Sequence, residues 1–224
     1  KRLRKWVGEA KGEHEIYMRT LIQSFILLKS NTFMRFGEIR HLKWGMMTTH
    51  NQNKEQKDNR QNKSETIVIA KLPAEICKNR KSRTVVARGG QYLERIREIS
   101  DYTEPDDWVF CDRKTGELLS KPVFYKYWKQ IMEYIKINSV TKKKLTYYSL
   151  RHFGITARLM AQVPVYEVSK LAGTSVQFIE QHYEHLDMEK LRDSALKTFH
   201  IDKDGFRVDE EDAEKRSESD YYER

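Results

Sequence analysis

The stretch that decides the fold is Thr146–Leu186, which reads TYYSLRHFGITARLMAQVPVYEVSKLAGTSVQFIEQHYEHL. It opens on an arginine–histidine pair, Arg151 and His152, at the start of an amphipathic run typical of a core-facing helix. A tight break follows at residues 173–175 (Gly-Thr-Ser), and apolar residues at helical spacing then lead to Tyr183. The spacing predicts two helices, one carrying Arg151 and the other Tyr183.

Charge is distributed unevenly along the chain. Residues 201–224 contain five Lys or Arg and ten Asp or Glu, so the net charge of +9 conceals +14 on residues 1–200. A domain with that excess attracts polyanions, because bound phosphates release their counterions. We therefore expect a nucleic acid partner rather than a merely soluble basic surface, and a flexible acidic tail over 201–224.

Length and composition exclude several classes of protein. The 224 residues are 38% hydrophobic and 33% charged, which fits one sizeable globular domain. The longest strongly apolar patch, Phe25–Leu28, is far short of a membrane span, so we expect no membrane partner. Cys77 and Cys111 indicate an intracellular protein without a disulfide framework. A start at Lys1 without Met suggests an excerpt of a longer protein, with KRLRK ending a linker.

Periodicity predicts an α+β fold, mostly helical with a small antiparallel sheet. The β-branched runs at 66–70 and 84–87 predict a hairpin with a basic tip, and 108–110 predicts a short buried strand. The run 48–65 has no apolar residue and predicts a solvated loop. Apolar spacing predicts further helices over 13–29, from 35 through 44, over 90–100 and from 122 onward.

The order S-L-R-H, G-T-S and I-E-x-H-Y-x-H resembles the catalytic half of the tyrosine recombinases, in particular the phage-type integrases. The resemblance covers roughly residues 10–200. In that family the arginine of the L-R-H box binds the scissile phosphate and the final tyrosine joins covalently to DNA. The resemblance therefore implies these roles for Arg151 and Tyr183, with His152 supporting the site.

Residues 32–44 (TFMRFGEIRHLKW) look like the first arginine box of the same family. This similarity implies that Arg35 is the first catalytic arginine and that Glu38 orients it. The alternative from the residues alone is a surface side chain at a helix start, with Glu38 as its (i, i+3) partner, and we favour the catalytic role over it.

Residues 73–87 (PAEICKNRKSRTVVA) are similar to the integrase hairpin whose turn lysine is the general acid. By this similarity the lysine is Lys78, with Lys71 and Lys81 as rivals and a surface role for all three as the alternative. Asn79 suits a turn position with positive φ. We expect the remaining basic residues near the site to contact DNA, namely Lys81, Arg83, Lys142, Lys143 and Lys144.

Two residues depart from the family pattern. Tyr148 stands where many members have a histidine three residues before the second arginine, and Thr174 stands where His or Trp follows the late glycine. Both hydroxyls can donate a hydrogen bond to a phosphate oxygen, but neither can serve as an imidazole base. We count both as catalytic-site residues, and the general base stays unassigned.

The resemblance implies a site-specific recombinase that cuts and rejoins DNA through a 3′-phosphotyrosine intermediate, without metal, ATP or another cofactor. Its expected partners are double-stranded DNA at attachment or recombination sites and further copies of itself in a synaptic tetramer. It implies a protein of a phage or mobile element that acts on nucleoid DNA in a host cytoplasm. Residues 1–200 would be the catalytic domain and 201–224 the tail, with the N-terminal DNA-binding domain missing from this excerpt.

Three other functions remain open from the sequence. One is a resolvase-like or transposase-like recombinase, the second is a relative of type IB topoisomerases, and the third is a DNA-binding module whose catalytic site has decayed. A metal-dependent nuclease is disfavoured because no acidic cluster stands near the basic site.

Overall fold

A computed structural model describes residues 1–52, 65–136 and 145–183, together with the backbone of residues 200–201 and 207–208. The chain divides into two compact units, Lys1–Phe178 and Ile179–Arg224. Within these described ranges, no helix is both long and apolar enough to cross a membrane.

In the described part of the chain, three helices are followed by a three-stranded antiparallel sheet and then by further helices. In chain order they are α1 (Arg2–Gly8), α2 (Glu13–Thr32), α3 (Phe36–Arg40), β1 (Met47–Gln52), β2 (Glu65–Leu72), β3 (Arg83–Arg88), α4 (Gly90–Ile99), α5 (Lys121–Tyr134), α6 (Tyr147–Met160), α7 (Val165–Ala172) and a helical stretch over 176–183. In the second unit, β4 (His200–Ile201) pairs antiparallel with β5 (Arg207–Val208). The predicted mostly helical α+β fold with a small antiparallel sheet is confirmed.

Helix α2 forms the centre of the first unit. It packs against α1, α3, α4, α5, α6 and β3, and Leu21, Phe25 and Leu28 on it are fully buried. The Phe25 ring meets Phe110 and Tyr147 edge-on, at centroid distances of 5.0 and 5.3 Å. Because neighbours surround α2, its carboxyl-terminal end is a fixed point on which a site can be built.

The predicted hairpin is present. Strands β2 and β3 pair antiparallel, with Ala70 opposite Val85. One face of β2 is buried through Val68, Ala70 and Leu72, while residues 78–82 at the basic tip of the hairpin are exposed. This alternation is the pattern expected of a sheet with one face on the core.

A third strand replaces the start of the predicted solvated loop. β1 pairs with β2 through backbone hydrogen bonds, with Met47 opposite Ala70. The side chains of Thr48, Thr49 and His50 are exposed, so after Met47 this edge strand gives no hydrophobic signal. The rest of the predicted loop, 53–64, lies outside the described residues.

Two other predicted elements differ from the prediction: one helix is shorter, and one strand does not form. α3 ends at Arg40 instead of continuing to Trp44, because Trp44 is drawn into tertiary bonds: its backbone N donates to Asp107 O (3.1 Å) and its Nε1 to Tyr102 O (2.9 Å). Residues 108–110 form no strand of their own; Trp108 makes only an isolated bridge to Lys43.

The amino-terminal basic residues are not a linker in this fold. Residues 2–5 form the first half of α1, which is anchored by the buried Trp6. Arg19 donates to the Trp6 carbonyl (2.6 Å) and stacks over its indole ring (4.8 Å), and Trp6 meets Tyr127 edge-on. Burial of Trp6, rather than the charges around it, holds α1 in place.

Candidate active site

The connection from α2 to α3 presents Arg35. Helix α2 ends at Thr32, its capping residue Phe33 adopts a left-handed conformation (φ 55°), and the chain then extends to Arg35 at the start of α3. Glu38, only 1% exposed, accepts hydrogen bonds from the Arg35 backbone N (2.7 Å) and from Nη1 (3.0 Å). Arg35 is therefore held by its main chain and its side chain together.

Arg83 joins this pair from β3. Its Nη2 donates to the Glu38 carboxylate (2.9 Å) and its Nη1 to the Leu171 carbonyl at the end of α7 (3.1 Å). Gly173 follows with φ +60°, and a Cβ there would lie 2.7 Å from Arg83 Nε, so this position requires glycine on both counts. The Gly173 carbonyl in turn accepts from Arg35 Nη2 (3.4 Å), which places Thr174 directly beside the two arginines.

The electrostatics of Glu38 follow from these contacts. Burial alone would raise the pKa of the carboxyl, but the charge of Arg83, its hydrogen bond, and the contacts of Arg35 outweigh burial and lower the pKa overall. Glu38 is therefore a buried carboxylate that neutralises part of a dense positive cluster.

Arg151 enters the cluster from α6. Its side chain is 3% exposed and its Nη1 donates to the Phe33 carbonyl. Burial, followed by the nearby charge of Arg35, lowers the pKa of Arg151 to about 10, so the guanidinium remains protonated at neutral pH. Arg35, Glu38, Arg83 and Arg151 together are called the arginine cluster below.

A close helix contact fixes the position of Arg151. Gly154, one turn further along α6, faces the end of α2, and a Cβ there would collide with the Ser30 carbonyl and the Phe33 ring. At the start of α6, Thr146 Oγ1 accepts from the Tyr148 backbone N (3.2 Å) as a helix cap. The cap and the glycine contact together determine where α6 places Arg151.

The two departures from the family pattern lie around this cluster. Tyr148 on α6 is 49% exposed, and its ring meets His152 edge-on at 4.7 Å. Thr174 is half-buried, and its backbone N donates to Ser169 O (3.1 Å) as part of the α7 terminus. Tyr148 therefore lies at the surface of α6, one turn before Arg151.

Lys78 shares a cleft with Arg35. The cleft has a volume of about 380 Å³, and Glu38 and Cys77 also line it. Lys71 and Lys81, the rival lysines, are exposed on β2 and at the hairpin tip, residues 77–82.

The hairpin turn differs from the prediction at one position. The residue with positive φ is Arg80 (51°), not Asn79. The Arg80 backbone N donates to Cys77 O (3.0 Å), which closes a four-residue turn and places the left-handed conformation on its last residue.

The sequence model of the phage integrase family matches residues 9–190. The chain belongs to this family. None of the curated protein sequences matches the chain significantly.

Solved structures of the XerH site-specific recombinase are similar to this integrase-family chain. Its post-cleavage complex with palindromic difH substrate is 19% identical, with a TM-score of 0.59 over 87% of this chain and 50% of that one. Its pre-cleavage complex with difH is 18% identical, with a TM-score of 0.54 over 79% and 46%. At these identities the likeness shows a shared fold, and the chain spans about half the length of these recombinase chains.

Not every predicted site residue falls within the arginine cluster or its cleft. Lys142, Lys143 and Lys144 lie outside the described residues. Tyr183 belongs to the second unit, in the helical stretch over 176–183, and is 4% exposed. Arg83, predicted to contact DNA, uses its guanidinium inside the cluster, and its contact with DNA stays a prediction. In the described part of this integrase-family chain, no three His, Cys, Asp or Glu side chains are grouped to hold a metal ion.

The sequence analysis missed Lys29, on the last turn of α2. It has 0% exposure, and its Nζ donates to the Met34 carbonyl (2.6 Å). A signal was available, because Lys29 follows Phe25 by four residues and therefore lies on the apolar face of α2. A lysine at a core position of an otherwise apolar face is unusual and indicates a dedicated role.

Proposed function

We propose that this chain is the catalytic part of a site-specific DNA recombinase that cleaves and rejoins strands through Tyr183. The observation that carries the proposal is the convergence of Arg35 and Arg151, which are far apart in sequence, on the Phe33–Arg35 segment and the buried Glu38. Membership of the phage integrase family supports the same reaction.

In the proposed reaction the two arginines hold the scissile phosphate. In-line displacement at a phosphodiester concentrates negative charge on its non-bridging oxygens, and guanidinium groups can donate two parallel hydrogen bonds to such oxygens. Glu38 holds Arg35 and is itself bonded to Arg83, and the Phe33 carbonyl holds Arg151. A clamp fixed before the substrate arrives needs little rearrangement as charge develops.

Tyr183 and Lys78 complete the proposed chemistry. The Tyr183 Oη forms a bond to phosphorus while the bond from phosphorus to the 5′-oxygen breaks, and Lys78 protonates the departing 5′-oxygen. Rejoining is the reverse, with a 5′-hydroxyl attacking the phosphotyrosine. Tyr148 and Thr174 would donate hydrogen bonds to the phosphate, with His152 packed against Tyr148. No residue is assigned as the base for Tyr183.

We propose duplex DNA carrying a recombination site as the substrate, with Lys81, Arg83 and Lys142–Lys144 as contacts. The excess of +14 charges over residues 1–200 supports a polyanionic partner. We also propose a tetramer on DNA, because exchange between two duplexes requires four strand cleavages and each chain supplies one Tyr183. Such an enzyme of a phage or mobile element would act on the nucleoid in a host cytoplasm.

The test uses nicked duplexes, from which the short cleaved strand diffuses away and leaves the protein trapped on DNA. Duplexes enriched by binding from a random-sequence pool would be incubated with the chain and with Tyr183→Phe, then run on a denaturing gel. We expect a covalent band that requires Tyr183 and persists in EDTA. Mass measurement of the native complex would then count four chains for the proposed tetramer.

Other outcomes of this experiment identify the alternatives. DNA binding without a covalent band, from a chain carrying any domain it needs for binding, would overturn strand transfer and indicate a decayed binding module. A covalent band together with relaxation of supercoiled plasmid, but no exchange between two duplexes, would indicate a topoisomerase-like activity instead.

A further inference from the structure

Lys29 lies next to the arginine cluster, and the chemistry proposed for the cluster does not use it. The side chain is fully buried, and its Nζ donates to the carbonyl of Met34, which is also fully buried. The charges that act on it come from two other helices: Arg151 on α6, and Arg35 and Glu38 at the start of α3. A buried cation is therefore placed behind two arginines, with only part of its charge balanced by Glu38.

The segment held by Lys29 is the one on which both arginines depend. The Phe33 carbonyl accepts from Arg151, the Met34 carbonyl accepts from Lys29, and the Arg35 backbone N donates to Glu38. Three consecutive residues thus each form one bond that fixes the cluster. Loss of the Lys29 donor would leave the Met34 carbonyl buried without that bond, and would loosen the segment between the two arginines.

We propose that Lys29 is a positioning residue for the phosphate site, whose buried ammonium fixes the Phe33–Arg35 segment and binds its proton more tightly when a DNA phosphate occupies the arginines. This inference rests on the proposed function, since it assumes that Arg35 and Arg151 receive a phosphate. If the inference is correct, Lys29 takes up a proton when DNA binds.

The charges around Lys29 determine the direction of this coupling. Burial, and then the charge of Arg151 with a smaller contribution from Arg35, lowers the pKa of Lys29 to about 7, while Glu38 opposes them. Two further groups act on Lys29 indirectly. Arg83 of β3 is bonded to Glu38, and Tyr148 of α6 interacts electrostatically with Arg151. A phosphate between the arginines adds negative charge and therefore raises the pKa of Lys29.

The sign of the pH dependence follows by linkage. A group whose pKa rises on binding takes up a proton, so DNA affinity is greatest below about pH 7 and falls as pH rises above it. Folding has the opposite dependence, because the pKa of Lys29 is lower in the folded chain than its ordinary value of 10.5. Its contribution to stability is full above that ordinary value and is lost as pH falls through about 7. If Lys29 were only a structural hydrogen-bond donor, its pKa would not change when DNA binds, and DNA affinity would not depend on its protonation.

The experiment measures binding in the Tyr183→Phe chain, so that no strand is cut. A duplex enriched from a random-sequence pool is the probe, at constant ionic strength from about pH 7 to about pH 9. We expect Kd to weaken about tenfold or more over this range, and to do so much less in Lys29→Met. Lys129→Met is the matched control, because Lys129 is an exposed lysine on α5, and it should keep the full pH dependence.

Calorimetry on the chain with Lys29 intact keeps the inference testable if Lys29→Met does not fold. Binding enthalpies in buffers of different ionisation enthalpy count the protons taken up, and we expect close to one proton near pH 8. Lys29→Arg keeps a charge that does not titrate in this range and should abolish the uptake. No uptake with Lys29 intact, or an unchanged pH dependence in Lys29→Met, would overturn the proposal. The covalent-adduct assay with Tyr183 present tests the proposed function separately.

Discussion

The arginine cluster and the hairpin tip place positive charge around the same cleft in opposite ways. Arg151 is almost fully buried and the Arg83 side chain is 12% exposed, and both donate hydrogen bonds to backbone carbonyls. Lys78 and Arg80 at the hairpin tip are exposed. The two regions meet where Arg35 and Lys78 line one cleft.

Because of this difference, the arginine cluster should affect both the stability and the activity of the chain, and the exposed lysine at the hairpin tip only its activity. Burial of several like charges is unfavourable unless an opposite charge and hydrogen bonds compensate, so the arginine cluster has to be assembled as the chain folds. An exposed lysine imposes no such requirement, and it can approach a substrate without disturbing the core. Substitutions in the arginine cluster should therefore change folding and activity together, whereas substitutions at the hairpin tip should change activity alone.

The largest effect on stability should come from Glu38→Gln. The substitution removes the buried negative charge that Arg35 and Arg83 share, and loss of one partner of a buried ion pair destabilises by about 3–5 kcal/mol. Urea unfolding measures this free energy. Glu75→Gln is the matched control, because Glu75 lines the same cleft but is exposed, and it should change stability by less than about 0.5 kcal/mol.

The acid side of the stability curve tests the same carboxylate. The pKa of Glu38 is lowered in the folded chain, so its contribution is full above the ordinary glutamate pKa and is lost as pH falls through the lowered value. Glu38→Gln should lack this acid-dependent loss, whereas Glu75→Gln should keep it. A Glu38→Gln chain as stable as the parent would mean that the arginines are held by their backbone contacts alone.

The sequence predicted the members of the arginine cluster better than their arrangement. Arg35, Glu38 and Arg151 were found through motif resemblance, which carries reaction chemistry but no contacts. That Arg83 turns inward to Glu38 depends on the end of α7, almost 90 residues away, and local periodicity contains no such information. Lys29 could have been noticed on the apolar face of α2, but its partner, the Met34 carbonyl, lies beyond the end of that helix, and the spacing within α2 does not predict this contact.

A smaller effect is expected from Gly154→Ala. A Cβ at this position would meet the Ser30 carbonyl and the Phe33 ring, so α6 must move away from the end of α2. Overpacking of this kind typically destabilises by about 1–3 kcal/mol, and here it also withdraws Arg151 from the Phe33 carbonyl. Urea unfolding and the covalent-adduct assay should both show a loss.

Gly8→Ala is the control for this substitution, because a Cβ there meets no atom within 4 Å. It should leave stability unchanged or raise it slightly, since alanine is the better helix former. If Gly154→Ala retained full stability and full adduct formation, the close contact of α6 with α2 would not be what positions Arg151.

The hairpin shows where sequence patterns succeed and where they fail. The β-branched runs predicted β2 and β3 because alternation along a half-buried strand is visible in the sequence itself. β1 was mistaken for loop because an edge strand with an exposed face is held by backbone bonds, which no side chain reveals. The turn residue with positive φ is Arg80, one position later than predicted, because the hydrogen bond from the Arg80 backbone N to Cys77 O sets the length of the turn.

The smallest effect on stability, joined to a large effect on rate, is expected from Lys78→Ala. Because Lys78 is exposed, unfolding should change by less than about 0.5 kcal/mol. If its ammonium protonates the 5′-oxygen, cleavage should slow by about 10²–10⁴-fold, the usual contribution of a general acid. A substrate with sulfur in place of that oxygen needs no such proton and should be cleaved almost as fast by Lys78→Ala as by the parent. Lys71→Ala and Lys81→Ala are the matched controls, and a slow reaction rescued by sulfur in either of them would transfer the general-acid role from Lys78 to that lysine.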